Sequence, residues 1–328
     1  MEIVQVNSVM VPAIEPKIIF AAKSTDKPFI NANTTEIDFH RMKTECNIPV
    51  FAKDNETTIS HNQFIEAVME TAYQFYQGET ILDPAVRVSH PIKGRIPEAM
   101  GKPAQMLRDD EKTIYYERMA FVVEIPSIYE SVDGNALSLC IGGVRAYNHE
   151  NLYGKKSAEK FKVFVGFQNK VCCNLCISTD GMKFEIKART LHELAIEVFN
   201  LFAAYDAMAH IHWLSQLPDY SLSESQFAKL VGRLKMFPYL PSAISQGIPD
   251  LELGDSQLSM VVKDYYEADS FCRETNGNIN LWRLFNLFTG ANKSSYIDRF
   301  LDRNVSISGF MEGLKTALNE PQTSWYLK

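Results

Sequence analysis

The fold is decided by the stretch Phe161-Lys162-Val163-Phe164-Val165-Gly166-Phe167-Gln168-Asn169-Lys170-Val171-Cys172-Cys173-Asn174-Leu175-Cys176-Ile177. Two apolar runs of strand length, 161–167 and 171–177, are separated here by three polar residues. Such a pattern predicts a β-hairpin. The first predicted strand interleaves lysines with phenylalanines, and the second carries the cysteines 172, 173 and 176.

A second hairpin is predicted upstream of the first. Ala120–Ile125 ends at Pro126, and Ala136–Ile141 follows Asp133-Gly134, a dipeptide typical of tight turns between antiparallel strands. Residues 183–187 alternate between charged and apolar side chains, so one face of that strand is expected in water. At least five strands therefore fall within about 70 residues, and we expect most of them to pair antiparallel.

Helix signals lie on both sides of the strands. Ser60 opens the first predicted helix. Thr190 and Ser223 each begin a stretch with the capping-box form, in which side chains satisfy free amide hydrogens at a helix start. The predicted helices run over about 60–76, 190–217, 223–237, 256–272, 280–289, 294–302 and 306–319.

The order of these elements predicts the fold class. Strands come first and helices after, which favours an α+β fold over a doubly wound parallel sheet. We expect a mainly antiparallel sheet in the N-terminal half and centre, followed by a helical C-terminal half packed on it. Residues 1–57 are interpreted as an N-terminal arm with short strands, 58–189 as a helix plus the sheet, and 190–328 as a helical region that forms one unit with the sheet.

Composition limits the class of protein. The 328 residues are 46% hydrophobic and 22% charged, with a net charge of -7, which is globular and gives no overall attraction to nucleic acid or anionic membranes. No apolar run is long enough to span a bilayer, and the first 20 residues do not read as a secretory signal. We therefore expect a cytoplasmic protein with reduced cysteines and no membrane partner.

The cysteine cluster does not predict a metal site. Structural zinc needs a second pair of ligands beside Cys173-x-x-Cys176, and the sequence offers none. On a strand, alternation would point Cys172 and Cys176 one way and Cys173 the other, so we interpret them as core packing. Gly142-Gly143 is interpreted as a turn or strand end, because the spacing of a dinucleotide fingerprint is missing. No metal and no cofactor are predicted.

The stretch 155–189 is locally basic. It has eight lysines and arginines against three acidic residues, a local charge of +5 in a chain of -7. Basic strands with interleaved aromatic residues bind single-stranded nucleic acid in many proteins, and a proline-rich basic arm lies at 87–112. The alternative is a half-buried hairpin whose lysines form its solvated face. The predicted nucleic-acid-binding residues are Arg87, Lys93, Arg95, Lys155, Lys156, Lys160, Lys162 and Lys170.

Two further places are candidates for structural or pocket roles. Trp282, Asn286 and Thr289 are spaced four and three apart and share one face of a predicted helix. A buried asparagine there needs hydrogen-bond partners, which suits either a contact that fixes the helix on the sheet or a small polar pocket. His149, in a polar loop, is the histidine most open to a role in catalysis, and a plain solvent-exposed loop is the alternative.

Two of these motifs together resemble a known family. The run Val171-Cys172-Cys173-Asn174-Leu175 and the segment Leu281-Trp282-Arg283-Leu284-Phe285-Asn286-Leu287-Phe288-Thr289 are similar to a family of phage- and plasmid-like proteins of unknown function. In that family an apolar strand ends in Cys-x-Asn, helices follow, and a Trp-x-x-x-Asn-x-x-Thr helix lies near the end.

Residues 87–126 resemble a narrower branch of uncharacterised proteins from bacterial mobile elements, through Ser89-His90-Pro91-Ile92-Lys93-Gly94-Arg95 and Tyr115-Tyr116-Glu117-Arg118. The likeness extends over roughly 87–300. It implies a phage or mobile-element context and supplies no catalytic residues. A His-Asp-Gly-like turn of the family is present here only as Asn148-His149-Glu150, without the glycine.

Three functions follow as hypotheses. The first is a mobile-element protein that binds single-stranded DNA through the basic hairpin. The second is a protein-interaction module, such as a counter-defence factor with a host protein partner. The third is an enzyme with a pocket near His149, Glu150 and Asn286. The extended N-terminal segment also suggests a homo-oligomer formed by arm exchange.

Overall fold

The structure is a computed structural model that describes residues 27–45, 58–147, 158–267, 272–319 and 324–328. The predictions for short strands before residue 27, and those for His149, Glu150, Lys155 and Lys156, lie outside the described residues. Within the described part the chain has an α+β fold, with a large antiparallel sheet followed by helices. The predicted fold class is confirmed.

The strands are β1 (Thr35–Ile37), β2 (Ala85–Val88), β3 (Pro91–Arg95), β4 (Lys112–Tyr116), β5 (Arg118–Val132), β6 (Asn135–Ala146), β7 (Glu159–Asn169), β8 (Leu175–Cys176), β9 (Met182–Ala188), β10 (Ser221–Leu222) and β11 (Ile279–Asn280). The main sheet has the order β1-β2-β5-β6-β7-β8, with β9 also paired to β7. Every pairing in it is antiparallel. β3 pairs with β4 and β10 with β11 in two small sheets of two strands.

The β5–β6 hairpin forms the centre of the main sheet. Its turn lies at Asp133-Gly134, where both residues have positive φ, 48° and 75°, as a tight hairpin turn requires. The predicted end of the first strand at Pro126 is wrong, because β5 continues to Val132. The register shifts between Ile125 and Tyr129, and a bulge is where a strand accepts a proline that has no N–H to donate.

The hairpin of β7 and β8 is shorter than predicted. Gln168 pairs with Leu175 and Phe167 with Cys176, so the second strand has two residues and not seven. The residues between form a tight turn in which Cys173 has a φ of 56°. The predicted strand alternation of Cys172 and Cys173 is therefore wrong, because both lie in the connection, and only Cys176 is in the core.

Gly142 and Gly143 lie inside β6, and the predicted turn or strand end at these residues is wrong. A Cβ on Gly142 would stand 2.2 Å from the main-chain oxygen of Phe121 and 2.8 Å from the ring of Phe164. A Cβ on Gly143 would stand 2.6 Å from the ring of Phe64. Both glycines are present because large side chains pack directly on the strand backbone.

The helices are α1 (Phe39–Glu45), α2 (His61–Phe75), α3 (Leu191–Ala204), α4 (Ala207–Gln216), α5 (Glu224–Met236), α6 (Ser242–Ser245), α7 (Asp255–Tyr266), α8 (Leu281–Asn292) and α9 (Ile297–Asn319). The predicted caps at Ser60, Thr190 and Ser223 each accept a main-chain N–H at their helix start. The predicted single helix over 190–217 is wrong, because Asp206 caps a new helix. The predicted break between 302 and 306 is also wrong, since α9 is continuous.

Both faces of the main sheet are covered. On one face Phe64 of α2 contacts Phe121 and Phe161, with ring centroids 5.3 and 4.9 Å apart. On the other face α9 contributes Phe300 and its neighbours to a second core, which also holds side chains of β5, β6 and β7. Each fully buried phenylalanine contributes about 1.5–3 kcal/mol.

None of the described helices is by itself long and apolar enough to cross a bilayer, and only α3 joined to residues 207–219, bent by 51°, meets that length and composition.

Candidate functional site

A groove of about 800 Å³ separates the flank of α9 from the sheet face made by β6, β7 and β9. The loop 249–252 forms its third wall. Cavities of 300–1,000 Å³ with apolar walls and a few polar groups are the usual form of a binding site. The apolar residues that line it are Val144, Ala146, Phe161, Pro249, Val305 and Phe310.

The lysines of β7 lie in this groove. Lys162 Nζ is 2.8 Å from each carboxylate oxygen of Asp302 and 3.0 Å from the main-chain oxygen of Asp298. Lys160 Nζ is 2.5 Å from Glu185, across the pair of strands β7 and β9. The register between these strands shifts next to Lys162, and such bulges change the direction of neighbouring side chains. The contacts of Lys160 and Lys162 show that both lysines are already paired with carboxylates of the same chain.

Carboxylates outnumber cations in the groove. The described lining has five carboxylates and two lysines, which gives 2 − 5 = −3. Two arginines outside the lining approach Glu252, at 3.4 Å, and Asp298, at 3.8 Å. Lys187, also outside the lining, lies 3.9 Å from Glu185, so these three cations balance the excess in number, and Asp250 is the lining carboxylate left without an ion pair among the described residues. The lining carboxylates are Glu185, Asp250, Glu252, Asp298 and Asp302.

Asp250 is the most open of these carboxylates. It is exposed at the edge of the groove, and it makes no ion pair with a described residue. Glu252 is 40% exposed and its partner Arg299 is 55% exposed, and an exposed pair of this kind contributes less than about 1 kcal/mol. A cationic group entering beside the loop would thus meet one free carboxylate and a second that is easily released.

The remaining predicted nucleic-acid-binding residues lie elsewhere and are mostly engaged. Lys170 pairs with Glu124. Arg87 is bound to Thr34 through Nε, at 3.0 Å, and through a terminal nitrogen to its main-chain oxygen, at 2.9 Å. Arg95 donates to the main-chain oxygen of Lys102. Of the six predicted residues that the structure describes, Lys93 alone is exposed without a partner.

The residues Trp282, Asn286 and Thr289 are buried together on α8. The Asn286 carboxamide accepts from Asn169 Nδ2 at 3.1 Å and donates to the main-chain oxygen of Trp282 at 2.9 Å. The main-chain oxygen of Asn286 accepts from Asn174 Nδ2 at 2.9 Å. The asparagine is thus saturated by contacts between α8 and the turn after β7, and it does not line the groove.

A second buried polar cluster fixes the start of α2. Arg145 is fully buried and donates to Glu159 and to the main-chain oxygen of Ile59, and Glu159 in turn accepts from the Ile59 N–H at 2.9 Å. His61 lies beside them. Burial, with the Arg145 charge second, lowers the pKa of His61 to about 3, so this histidine is neutral at pH 7.

His210 is also buried and neutral. Burial lowers the pKa of His210 to about 4, and its Nδ1 lies 2.7 Å from the Tyr205 hydroxyl.

In the part of the chain that the structure describes, no three histidine, cysteine or acidic side chains are grouped as metal ligands. The groove combines apolar walls, two internal ion pairs and the exposed carboxylates of Asp250 and Glu252.

The carboxylates of the groove are the residues that sequence reasoning missed. Lys162 and Asp302 are 140 positions apart in the chain, so a charge count over 155–189 leaves the acid out. The only sequence signal is the spacing of Asp298 and Asp302, which puts two acids on one face of a helix.

The chain matches a family over residues 13–327, described as "Domain of unknown function, B. Theta Gene description (DUF3871)". No curated protein and no solved structure matches it. The expected likeness to a family of unknown function is confirmed in this form, and the mobile-element context stays a prediction. Because the match covers nearly all of the sequence, the chain belongs to the DUF3871 family of domains of unknown function.

Proposed function

We propose that the protein is an interaction module whose groove between α9 and the β6–β7–β9 face binds a segment of a partner protein. The segment carries a basic side chain next to an apolar one. The observation that supports this most is the combination of apolar walls with the exposed carboxylate of Asp250 at the edge, which has no partner among the described residues.

The apolar walls of the groove suit the apolar side chain of such a segment, and its carboxylates suit the basic side chain. An aliphatic or aromatic side chain placed against Val144 and Phe310 would contribute about 1.5–3 kcal/mol by burial. A guanidinium next to it can bind Asp250 or Glu252 through two parallel hydrogen bonds. A host protein is one source of such a segment if the predicted mobile-element context holds.

A phosphate backbone suits the groove less well than a cation does. Lys160 and Lys162 would have to leave their carboxylates before they could bind phosphate, and the uncovered acids would repel the ligand. Binding of single-stranded DNA therefore stays a prediction that rests on Lys93 and on the undescribed Lys155 and Lys156. The peptide-binding experiment described next also tests the binding of single-stranded DNA.

The test is selection of a random dodecapeptide library on the immobilised protein, followed by fluorescence anisotropy of the selected peptides. We expect enrichment of arginine or lysine beside an aromatic or aliphatic residue. A labelled single-stranded oligonucleotide, measured at low salt in the same assay, is expected to bind far more weakly than the selected peptides.

Two matched pairs of variants locate the binding. Gly309 faces open space on the flank of α9 at the groove, and Gly232 faces open space on α5. Gly309→Leu should weaken peptide binding at least tenfold, and Gly232→Leu should leave it unchanged. Asp250→Arg should weaken it similarly, with the exposed Asp83→Arg as its control. Peptides without a basic residue, or equal binding by both members of each pair, would refute the proposal.

A further inference from the structure

The turn between β7 and β8 brings two thiols next to a buried ammonium group. Cys172 and Cys173 are adjacent and both partly exposed. Lys293, at the C-terminal end of α8, is only 8% exposed and donates from Nζ to the main-chain oxygen of Cys172. It makes no ion pair with a carboxylate of a described residue. A buried cation without a carboxylate favours a negative charge on the nearest groups that can carry one.

We infer that Cys172 and Cys173 form a modification site at which a peroxide oxidises the adjacent dithiol to a vicinal disulfide. This site is separate from the groove and independent of the proposed partner binding. Its ligand class is a small peroxide, such as hydrogen peroxide, that reaches a half-exposed turn.

The contacts of Cys172 act in opposite directions, and the thiol donates to Asn286 Oδ1 at 3.7 Å. Burial raises the pKa of the Cys172 thiol, and the main-chain N–H of Asn174 and the Lys293 ammonium act against that rise. Burial lowers the pKa of Lys293, and the charges of the Cys172 and Cys173 thiolates raise it. The Lys293 ammonium thus reduces, without cancelling, the cost that burial sets on ionising Cys172.

The chemistry balances with peroxide as the oxidant. One thiolate attacks a peroxide oxygen, the O–O bond breaks, and a sulfenic acid forms while the leaving hydroxide takes a proton to become water. The second thiol then attacks the sulfenic sulfur, an S–S bond forms, and a second water leaves. Two thiols lose two hydrogens in total, and one hydrogen peroxide becomes two waters.

The disulfide is expected to be reversible. Adjacent α-carbons are about 3.8 Å apart across a trans peptide, whereas disulfides usually join α-carbons about 4.4–6.8 Å apart. A bridge between neighbours is therefore strained, and strained disulfides are the easily reduced ones. The turn that contains Cys172 and Cys173 also holds Asn174, whose side chain donates to α8. A disulfide would tighten this turn, so oxidation should also weaken the contact between Asn174 and α8.

The other described cysteines serve as internal comparisons. Cys140 and Cys176 have no exposed surface, and Cys272 is 4% exposed. Burial raises the pKa of both Cys140 and Cys176 well above the usual value. A peroxide cannot readily reach thiols without exposed surface, so oxidation is expected to be selective for the partly exposed pair in the turn.

The test treats the full chain with hydrogen peroxide, blocks free thiols with iodoacetamide, and maps each cysteine-containing peptide by mass spectrometry. We expect a peptide with Cys172 and Cys173 that has lost two hydrogens and taken one label, on Cys176. Dithiothreitol should restore three labels. Cys172→Ser and Cys173→Ser should each abolish the disulfide, and Cys176→Ala should not.

Lys293→Met tests the part played by the ammonium. It should slow the reaction severalfold, because the ammonium opposes the rise of the Cys172 pKa, and Lys293→Arg should restore most of the rate. If Lys293→Met does not fold, the two serine variants decide. A disulfide that persists in Cys173→Ser, or first oxidation at Cys140, would overturn the inference.

Discussion

Asn174 and Asn286 are 112 positions apart in the chain, and the side-chain amide of Asn174 donates to the main-chain oxygen of Asn286 at 2.9 Å. The contact joins the turn after β7 to α8, and Asn169 adds a second bond to the Asn286 side chain at 3.1 Å. Buried amides with all their partners fix one arrangement of helix on sheet. The two motifs that carry the family resemblance thus meet in a contact that sets the fold.

Replacing Asn286 by alanine should destabilise the protein by about 1–3 kcal/mol. The variant leaves an N–H of Asn169 without its acceptor and removes the side-chain donor to the main-chain oxygen of Trp282. Urea unfolding followed by circular dichroism measures this. Asn200→Ala, on the exposed side of α3, is the control and should change stability by less than about 0.5 kcal/mol. Equal effects of the two variants would show that the amide contacts contribute nothing.

Gly142→Ala should prevent stable folding, since the added methyl would stand 2.2 Å from the main-chain oxygen of Phe121. Gly232→Ala, in open space on α5, should stabilise the protein by about 0.5–1 kcal/mol through helix propensity. Soluble yield and melting temperature separate the two. A Gly142→Ala protein that melts like the wild type would contradict the close packing at β6.

Stability should fall as the pH is lowered from 7 to 4. The pKa of His210 is lowered from 6.5 to about 4 by burial, so the unfolded chain takes up a proton that the folded chain refuses. Stability is undiminished by this group well above pH 6.5, and the proton uptake by the unfolded chain lowers it by about 3 kcal/mol at pH 4. Urea unfolding across this range should show a shallower decline for His210→Gln, and parallel curves would refute this origin.

Breaking the buried pair of Arg145 and Glu159 should cost far more than breaking an exposed one. Arg145→Met is expected to destabilise the protein by about 3–5 kcal/mol, because it removes the buried cationic partner of the Glu159 carboxylate. Lys160→Met, which removes a half-exposed pair with Glu185, should cost less than about 1 kcal/mol. Adding Glu159→Gln to Arg145→Met should recover part of the loss, and strict additivity in the double-mutant cycle would argue against coupling.

Local signals in the sequence were enough to predict the antiparallel sheet, the caps at Ser60, Thr190 and Ser223, and the α+β class. Each depends on residues that are near one another in the chain. The continuity of α9 could not be predicted in this way. Asn304 and Ser308 resemble helix breakers, but they donate to main-chain oxygens of β8 and its neighbour, at 3.1 and 2.6 Å, and so remain inside the helix.

The groove also contains side chains that are distant in the sequence, and local signals could not predict that they lie together. Sequence reasoning predicted the lysines of β7 as nucleic-acid-binding residues, with a solvated face of the hairpin as the alternative. Their partner Asp302 arrives from α9, and the acidic Asp250 comes from a loop between two other helices. The charge of the groove depends on side chains that the fold brings together from distant positions. A charge count over one stretch of the sequence leaves these side chains out.

The covering of the second sheet face by α9 has a consequence for synthesis. The apolar side chains of that face, including Val122 and Phe164, leave the ribosome long before α9 does. About 150 residues separate the end of β7 from the end of α9, and at about 5–20 residues per second their translation lasts about 8–30 s. During that interval the apolar side chains of this face lack the helix that covers them, and apolar surface exposed in this way promotes aggregation of growing chains.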